Sequence, residues 1–127
     1  MGVIYSILIS SSIAIGLLAS VSYDTIETAF ENGDAEKIVS MGKDKILINV
    51  EGKEGAYGHS QAVLVLKDFF TKNPPAKFAF TFKGKESTEG TFAIGTYTSK
   101  NGSHRVTIHF KKNGNELSIE SLSIEKA

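Results

Sequence analysis

Ser60–Lys83 reads SQAVLVLKDFFTKNPPAKFAFTFK, and a change of period inside it decides the fold. Up to Asn73, the residues Val63, Leu66 and Phe70 with Ala62, Val65 and Phe69 form a broad apolar stripe at helical spacing, and Asn73-Pro74-Pro75 prevents continuation. Beyond the prolines the spacing alternates: Phe78, Phe80 and Phe82 point one way, Ala79, Thr81 and Lys83 the other. A helix able to cover a sheet is therefore followed at once by a strand with one apolar face.

Downstream, three more strands are expected over Thr91–Ser99, His104–Lys112 and Glu116–Glu125, linked at Asn101-Gly102 and Asn113-Gly114, a dipeptide that favours tight hairpin turns. In the last strand the apolar phase slips between Leu117/Ile119 and Leu122/Ile124, as a β-bulge in a bending strand requires. Upstream, DTIETAFENG predicts a short helix, with Asp24 and Glu27 at capping-box spacing and Gly33 placed to end it. A second helix capped by Asp34 and stopped at Gly42 leads into a strand over Lys45–Val50, and EGKEGAYGHS reads as a glycine-rich link. Helices followed by a curved antiparallel meander make an α+β fold, with the helices closing the concave face.

The chain has 127 residues, enough for a single core without metals or cross-links. Fourteen basic residues balance fourteen acidic ones, so no overall field attracts a polyanion and no nucleic-acid partner is expected. Without cysteine there is no disulfide, thiol nucleophile or thiolate metal site. Every Asp, Glu, Lys and Arg lies at or beyond Asp24. Residues 1–22 therefore read as a signal peptide, with an apolar stretch from Ile7 to Leu18 and small residues at Ser20-Val21-Ser22, and residues 23–127 as one domain. The serines at Ser10, Ser11 and Ser12 favour a cleaved signal over a permanent membrane anchor, which is the alternative. A buried first strand or helix of the fold is a third reading of the same stretch. The expected address is secreted or periplasmic.

GKEGAYGHSQAVLVLKDFFTKNPPAKFAF and AIGTYTSKNGSHRV together resemble a family of small secreted bacterial proteins classed as a domain of unknown function. The element order resembles the cone of the nuclear transport factor two-like (NTF2-like, cystatin-like) superfamily. That resemblance implies a fold and a pocket rather than a reaction, because its members include isomerases, dehydratases and noncatalytic modules. It also implies an aromatic ring where this chain has His104, and so no family-wide catalytic role for that position.

Chemistry-bearing residues are few. His104 is in phase with Val106, Ile108 and Phe110, facing the helices, and is the best acid–base candidate, although no carboxylate can be assigned to it from sequence. His109 is out of phase with it, which argues against a zinc-binding pair on this strand. Tyr57 and Tyr97 could border a cavity and orient a ligand through their hydroxyls. Gly58-His59-Ser60-Gln61-Ala62 resembles a nucleophile elbow only weakly, and Ser60 reads better as an N-cap of the long helix. Gly52, Gly55 and Gly58 match no phosphate loop. Seven phenylalanines, Phe69, Phe70, Phe78, Phe80, Phe82, Phe92 and Phe110, could fill the cone by themselves. No cofactor or metal is expected.

The function expected from these features is a secreted or periplasmic noncatalytic module for a small apolar ligand or a protein partner, able to dimerise through the sheet face carrying Arg105, Thr107, His109 and Lys111. One alternative is a cofactor-free lyase or isomerase using His104 with Tyr57 or Tyr97. The other is a membrane-tethered structural module of the envelope.

Overall fold

A computed structural model of the chain describes residues 21–127; residues 1–20, with most of the expected leader, lie outside the described residues. Val21 is buried in the core and the Tyr23 ring meets Phe80 and Phe110 edge-on, at 5.0 and 6.4 Å between centroids, so the folded body is already under way at Val21. A chain cut to begin at Val21 should keep the full chain's melting temperature. One beginning at Asp24 should melt several degrees lower, since it loses two packed side chains. Equal melting of all three would remove Val21 and Tyr23 from the core.

Helix α1 (Tyr23–Asn32) buries Ile26, Ala29 and Phe30 and ends at Gly33, whose φ of 63° lets the Gly33 and Asp34 amides donate back to the Phe30 and Ala29 carbonyls. The expected capping box is absent. Because the helix starts at Tyr23, Asp24 falls inside the first turn, where its charge meets the helix dipole, and Ser22 occupies the N-cap without a side-chain bond. Asp34 does cap α2 (Ala35–Ser40), its Oδ1 accepting from the Lys37 amide at 3.1 Å. Asp34→Ala should accordingly cost about 1 kcal/mol in denaturant melts, whereas Ser60→Ala should change stability by less than about 0.5 kcal/mol.

Strand β1 (Gly42–Val50) turns through Glu51-Gly52 into β2 (Lys53–Gly58), which leads directly into the long helix α3 (His59–Lys72). The supposed glycine-rich link is thus a strand. Gly55 is tolerated there because the Tyr57 ring folds back over it, 2.7 Å from where a Cβ would sit, and pairing with β1 outweighs the weak intrinsic propensity. Next come β3 (Pro75–Lys83), β4 (Gly90–Ser99), β5 (Gly102–Asn113) and β6 (Glu116–Lys126). One six-stranded sheet results, in the order β2-β1-β6-β5-β4-β3, antiparallel except where β1 lies parallel to β6. The helices pack on its inner face.

The strand register slips at four places, between Gly42 and Leu47, Pro75 and Lys77, Phe80 and Phe82, and His109 and Phe110, and two of these slips decide which side chains face the core. On β6, His109 pairs with Ser121 and Phe110 with Ile119, so Glu120 is the extra residue that the phase slip required. On β3, Phe80 pairs with Gly95 but Phe82 with Ile94, so Thr81 is extra and Phe82 is turned to the outer face. Phe82 is 48% exposed and sits against Phe92, which stacks on His109. The expectation that Phe82 shares a face with Phe78 and Phe80 is therefore corrected, and neither Phe82 nor Phe92 fills the cone. The interior is closed instead by Phe30, Phe69, Phe70, Phe78, Tyr97 and Phe110. Gly95 makes room for this: a Cβ there would lie 2.5 Å from the Phe78 ring. Arg105, His109 and Lys111 are exposed on the outer face and Thr107 is half-buried there, as the strand phase requires.

Candidate functional site

The sheet is left open at one corner. Between the β1–β2 hairpin and α3 lies a cleft of about 430 Å³ whose apolar wall is Val50, Tyr57, Leu64, Val65 and Phe69, with Lys53, Asp68 and Lys72 at its rim. Helix α3 supplies Leu64, Val65 and Phe69 to this wall. Leu66, Phe69 and Phe70 go into the core, while Leu64 is left 64% exposed. A second hollow of about 350 Å³, lined by Asn101, Ser103, His104 and Lys126, adjoins the first through Glu51, Lys72 and Asn73.

His104 lies beneath the junction, fully inside the sheet face as its strand phase predicts, with its ring edge-on to Phe69 at 5.0 Å. It has the carboxylate partner that sequence reasoning could not assign. Its Nε2–H donates to Glu51 Oε2 at 2.7 Å, while Nδ1 is buried without a hydrogen-bond partner. Glu51 reaches it from the hairpin turn in a left-handed conformation, φ 51°, that a residue with a Cβ seldom adopts. The turn is pinned on both sides: the Glu51 amide donates to the Ile124 carbonyl, Asn49 Oδ1 accepts from the Gly52 amide, and Asn49 Nδ2 donates to Glu125. Sequence offered one cue, a Glu-Gly pair between Val50 and Lys53 after an alternating apolar run, but nothing linked it to a histidine 53 positions away.

The pair is built the wrong way round for general base chemistry. A catalytic dyad presents the imidazole to substrate and keeps the orienting carboxylate behind it. Here the imidazole side chain is 3% exposed and the carboxylate 36%. The hydrogen bond from His104 holds the Glu51 carboxyl below the usual carboxylate range, with Lys126 and Lys53 adding to the effect against a smaller desolvation cost. A group whose folded value is depressed adds stability above its unfolded value and loses it as pH falls through the folded one. The stability advantage of wild type over Glu51→Gln should therefore be full at neutral pH and vanish below the carboxylate range, which thermal melts across that range can check. An advantage that grew on acidification would contradict the assigned bond.

The remaining candidates are dispersed or already engaged. Tyr97 is wholly buried, its hydroxyl donating to the Asn73 carbonyl at the end of α3, and burial pushes its phenol up. Its ring lies 6.4 Å from that of His104, but the hydroxyl is tied to the backbone. Tyr57 is half-buried and lines the cleft. Ser60 is not an N-cap: α3 begins one residue earlier at His59, and Gly58 takes the cap position with no side-chain bond. His59 itself donates to the Lys43 carbonyl at 2.8 Å. His104 and His109 stand on opposite faces, and among the described residues no three His, Cys, Asp or Glu side chains gather as a metal site would need. No described helix is long and apolar enough to cross a membrane.

Comparison with known proteins bears on this arrangement. The family model for the domain of unknown function DUF4783 matches residues 23–125. The chain belongs to the DUF4783 family. A solved DUF4783 family protein from Bacteroides ovatus is 30% identical to it, with a TM-score of 0.75 over 81% of this chain and 93% of the other. Beyond the family, an NTF-2 like protein of unknown function from Shewanella oneidensis is 14% identical, with a TM-score of 0.63 over 82% of this chain and 93% of the other. A domain of unknown function with a cystatin-like fold from Nostoc punctiforme is 11% identical, with a TM-score of 0.65 over 83% and 72%. No curated protein matches. This DUF4783 chain is thus an α+β cone of the NTF2-like, cystatin-like class.

Proposed function

We propose that this DUF4783 domain is a noncatalytic binding module whose ligand lies in the cleft between the β1–β2 hairpin and α3, with an apolar body against Tyr57, Leu64 and Val65. One observation carries the reading: the apolar wall is open, while the polar groups around it, Lys53 and Tyr57 excepted, are already engaged. Tyr97 bonds Asn73, His104 bonds Glu51, and Asp68 pairs with Lys72 at 3.1 Å. A site for proton transfer needs groups that converge on a ligand, and a site for apolar recognition needs a wall.

The probe is anilinonaphthalene sulfonate, whose rings suit the wall and whose sulfonate suits Lys53. Wild type should bind it with a fluorescence rise, and Leu64→Glu should weaken binding at least about tenfold without changing the melting temperature, since Leu64 contributes little to the core. Equal binding by the variant would place the probe elsewhere and sink the reading.

The unpartnered Nδ1 of His104 is the observation that favours a second reading, a cofactor-free lyase or isomerase. It requires turnover of some carbonyl compound that falls a hundredfold or more in folded His104→Phe. The uncharged apolar stretch ahead of Asp24 supports a secreted or periplasmic address, with a retained membrane tether as the alternative, and the mass of the native protein separates them. The exposed Phe82, Phe92 and His109 rings support pairing of two copies through the outer sheet face, which sedimentation of Phe92→Ser against wild type examines.

A further inference from the structure

The cleft is bordered by a free sheet edge. Strand β2 ends the strand order, and among the described residues no strand pairs with its outer side. In a two-residue hairpin the residues flanking the turn, Val50 and Lys53, exchange hydrogen bonds, and the exchange recurs at every second pair, Ile48 with Gly55 and Ile46 with Tyr57. Lys53, Gly55 and Tyr57 thus turn their backbone groups toward β1. Those of Glu54 and Ala56 point away from the sheet, and no backbone bond among the described residues uses them.

Natural edge strands are usually blunted by proline, by a bulge or by inward-pointing charge. β2 contains no proline and its register with β1 is unbroken, and the Glu54 and Ala56 side chains lie on the outer face with Leu47 and Asn49, so the one inward-pointing charge on this edge is Lys53. On the inner face Lys53 and Tyr57 line the cleft, so a strand added to this edge would lay every second side chain over Leu64 and Val65. The charged groups lining the cleft are two acidic and two basic, Glu51, Asp68, Lys53 and Lys72, and they differ in whether they are paired. Asp68 is held by Lys72 and Glu51 by His104, while Lys53 makes no ion pair among the described residues.

We infer that the ligand of this cleft is an extended peptide segment that joins the sheet at β2, apolar at alternate positions and carrying an acidic side chain opposite Lys53. The main-chain bonds to Glu54 and Ala56 supply register and part of the affinity, and the cleft reads the alternate side chains. This inference rests on the cleft being the binding site and names what occupies it.

The test uses the isotope-labelled protein and the blocked peptide Ac-Thr-Leu-Thr-Leu-Thr-Glu-NH2, whose leucines and glutamate share one face. A second copy of the peptide carries N-methyl groups on the two inner threonines, which removes the donors that would meet Glu54 and Ala56. Binding should shift the Glu54 and Ala56 amide signals and slow their hydrogen exchange. N-methylation should weaken it at least about tenfold. Ala56→Pro should do the same with folding intact, because an outward-facing edge position tolerates proline; the methylated peptide gives the same answer should that variant not fold.

The proposal is overturned if the peptide leaves those amides unmoved up to about 1 mM, if the methylated peptide binds equally, or if the protein is a dimer that Ala56→Pro dissolves, which would assign the edge to a second copy. Where anilinonaphthalene sulfonate still binds in a Leu64-dependent way and the peptide does not, the cleft remains the site and only the strand proposal falls. Where neither binds, both fall.

Discussion

Phe30→Ala is expected to destabilise the domain by about 3–5 kcal/mol, more than any other single truncation of the core described above. The Phe30 ring is wholly buried, stacked on Phe78 at 4.7 Å and 14°, and edge-on to Phe70 and Tyr97 at 6.0 and 6.3 Å. It thereby ties α1 and α3 to the paired strands β3 and β4. Close packing on every side leaves little room for collapse into the space it vacates. For a domain of this size the melting temperature should fall by more than about 12 °C. Phe82→Ala removes the same number of atoms from an exposed ring and should cost under about 1 kcal/mol. Similar losses at the two positions would mean that the bulge at Thr81 is misplaced and that Phe82 faces the core after all.

The second large effect concerns the buried imidazole. Glu51→Ala removes the only acceptor for the His104 Nε2–H among the described residues, in a ring whose Nδ1 is already buried without a partner. The expected cost is about 1–3 kcal/mol. His104→Phe should cost less than about 1 kcal/mol, because the cavity is apolar and aromatic and the Glu51 carboxylate, already partly exposed, can take water instead. In the double variant the Glu51→Ala substitution should then be nearly silent, giving a coupling close to the single-variant loss. Alanine keeps the same left-handed backbone demand as glutamate at position 51, so the cycle isolates the side-chain bond. Additive losses would mean that the pair does not form in solution. A His104→Phe loss above about 3 kcal/mol would mean that the imidazole does more than hold Glu51.

What sequence made legible was whatever depends on a run of neighbours. The period change at Asn73-Pro74-Pro75, the Asp34 cap and the bulge at Glu120 are each written in a few adjacent residues and each is present, and both hairpins form, although their turns fall at Lys100-Asn101 and Gly114-Asn115, each one position off the expected Asn-Gly pair. The inward placement of His104 followed from its phase with Val106 and Ile108. What stayed hidden depends on distant chain. Phe82 alternates correctly with Phe78 and Phe80, and only the pairing of β3 with β4 reveals the extra residue that turns it outward. Strand β2 contains glycines at positions 55 and 58, which locally signal a link, and becomes a strand because β1 offers it a partner. Glu51 carries no mark of its role, since its left-handed turn is imposed by Asn49 and by the Ile124 carbonyl rather than by its own preference. Ser60 is the converse case. A good capping residue before an apolar stripe was available, yet the helix starts one residue earlier because β2 runs straight into it.

The most direct measurement for a binding cleft between the hairpin and the long helix is an amide and methyl chemical-shift map of the labelled protein titrated with anilinonaphthalene sulfonate. Saturable shifts should concentrate on Val50, Lys53, Tyr57, Leu64, Val65 and Phe69, with Leu64→Glu abolishing them. Shifts confined to the outer sheet face around Phe82, Phe92 and His109, or to the opposite hollow beside Met41, Phe110 and Leu117, would contradict the account.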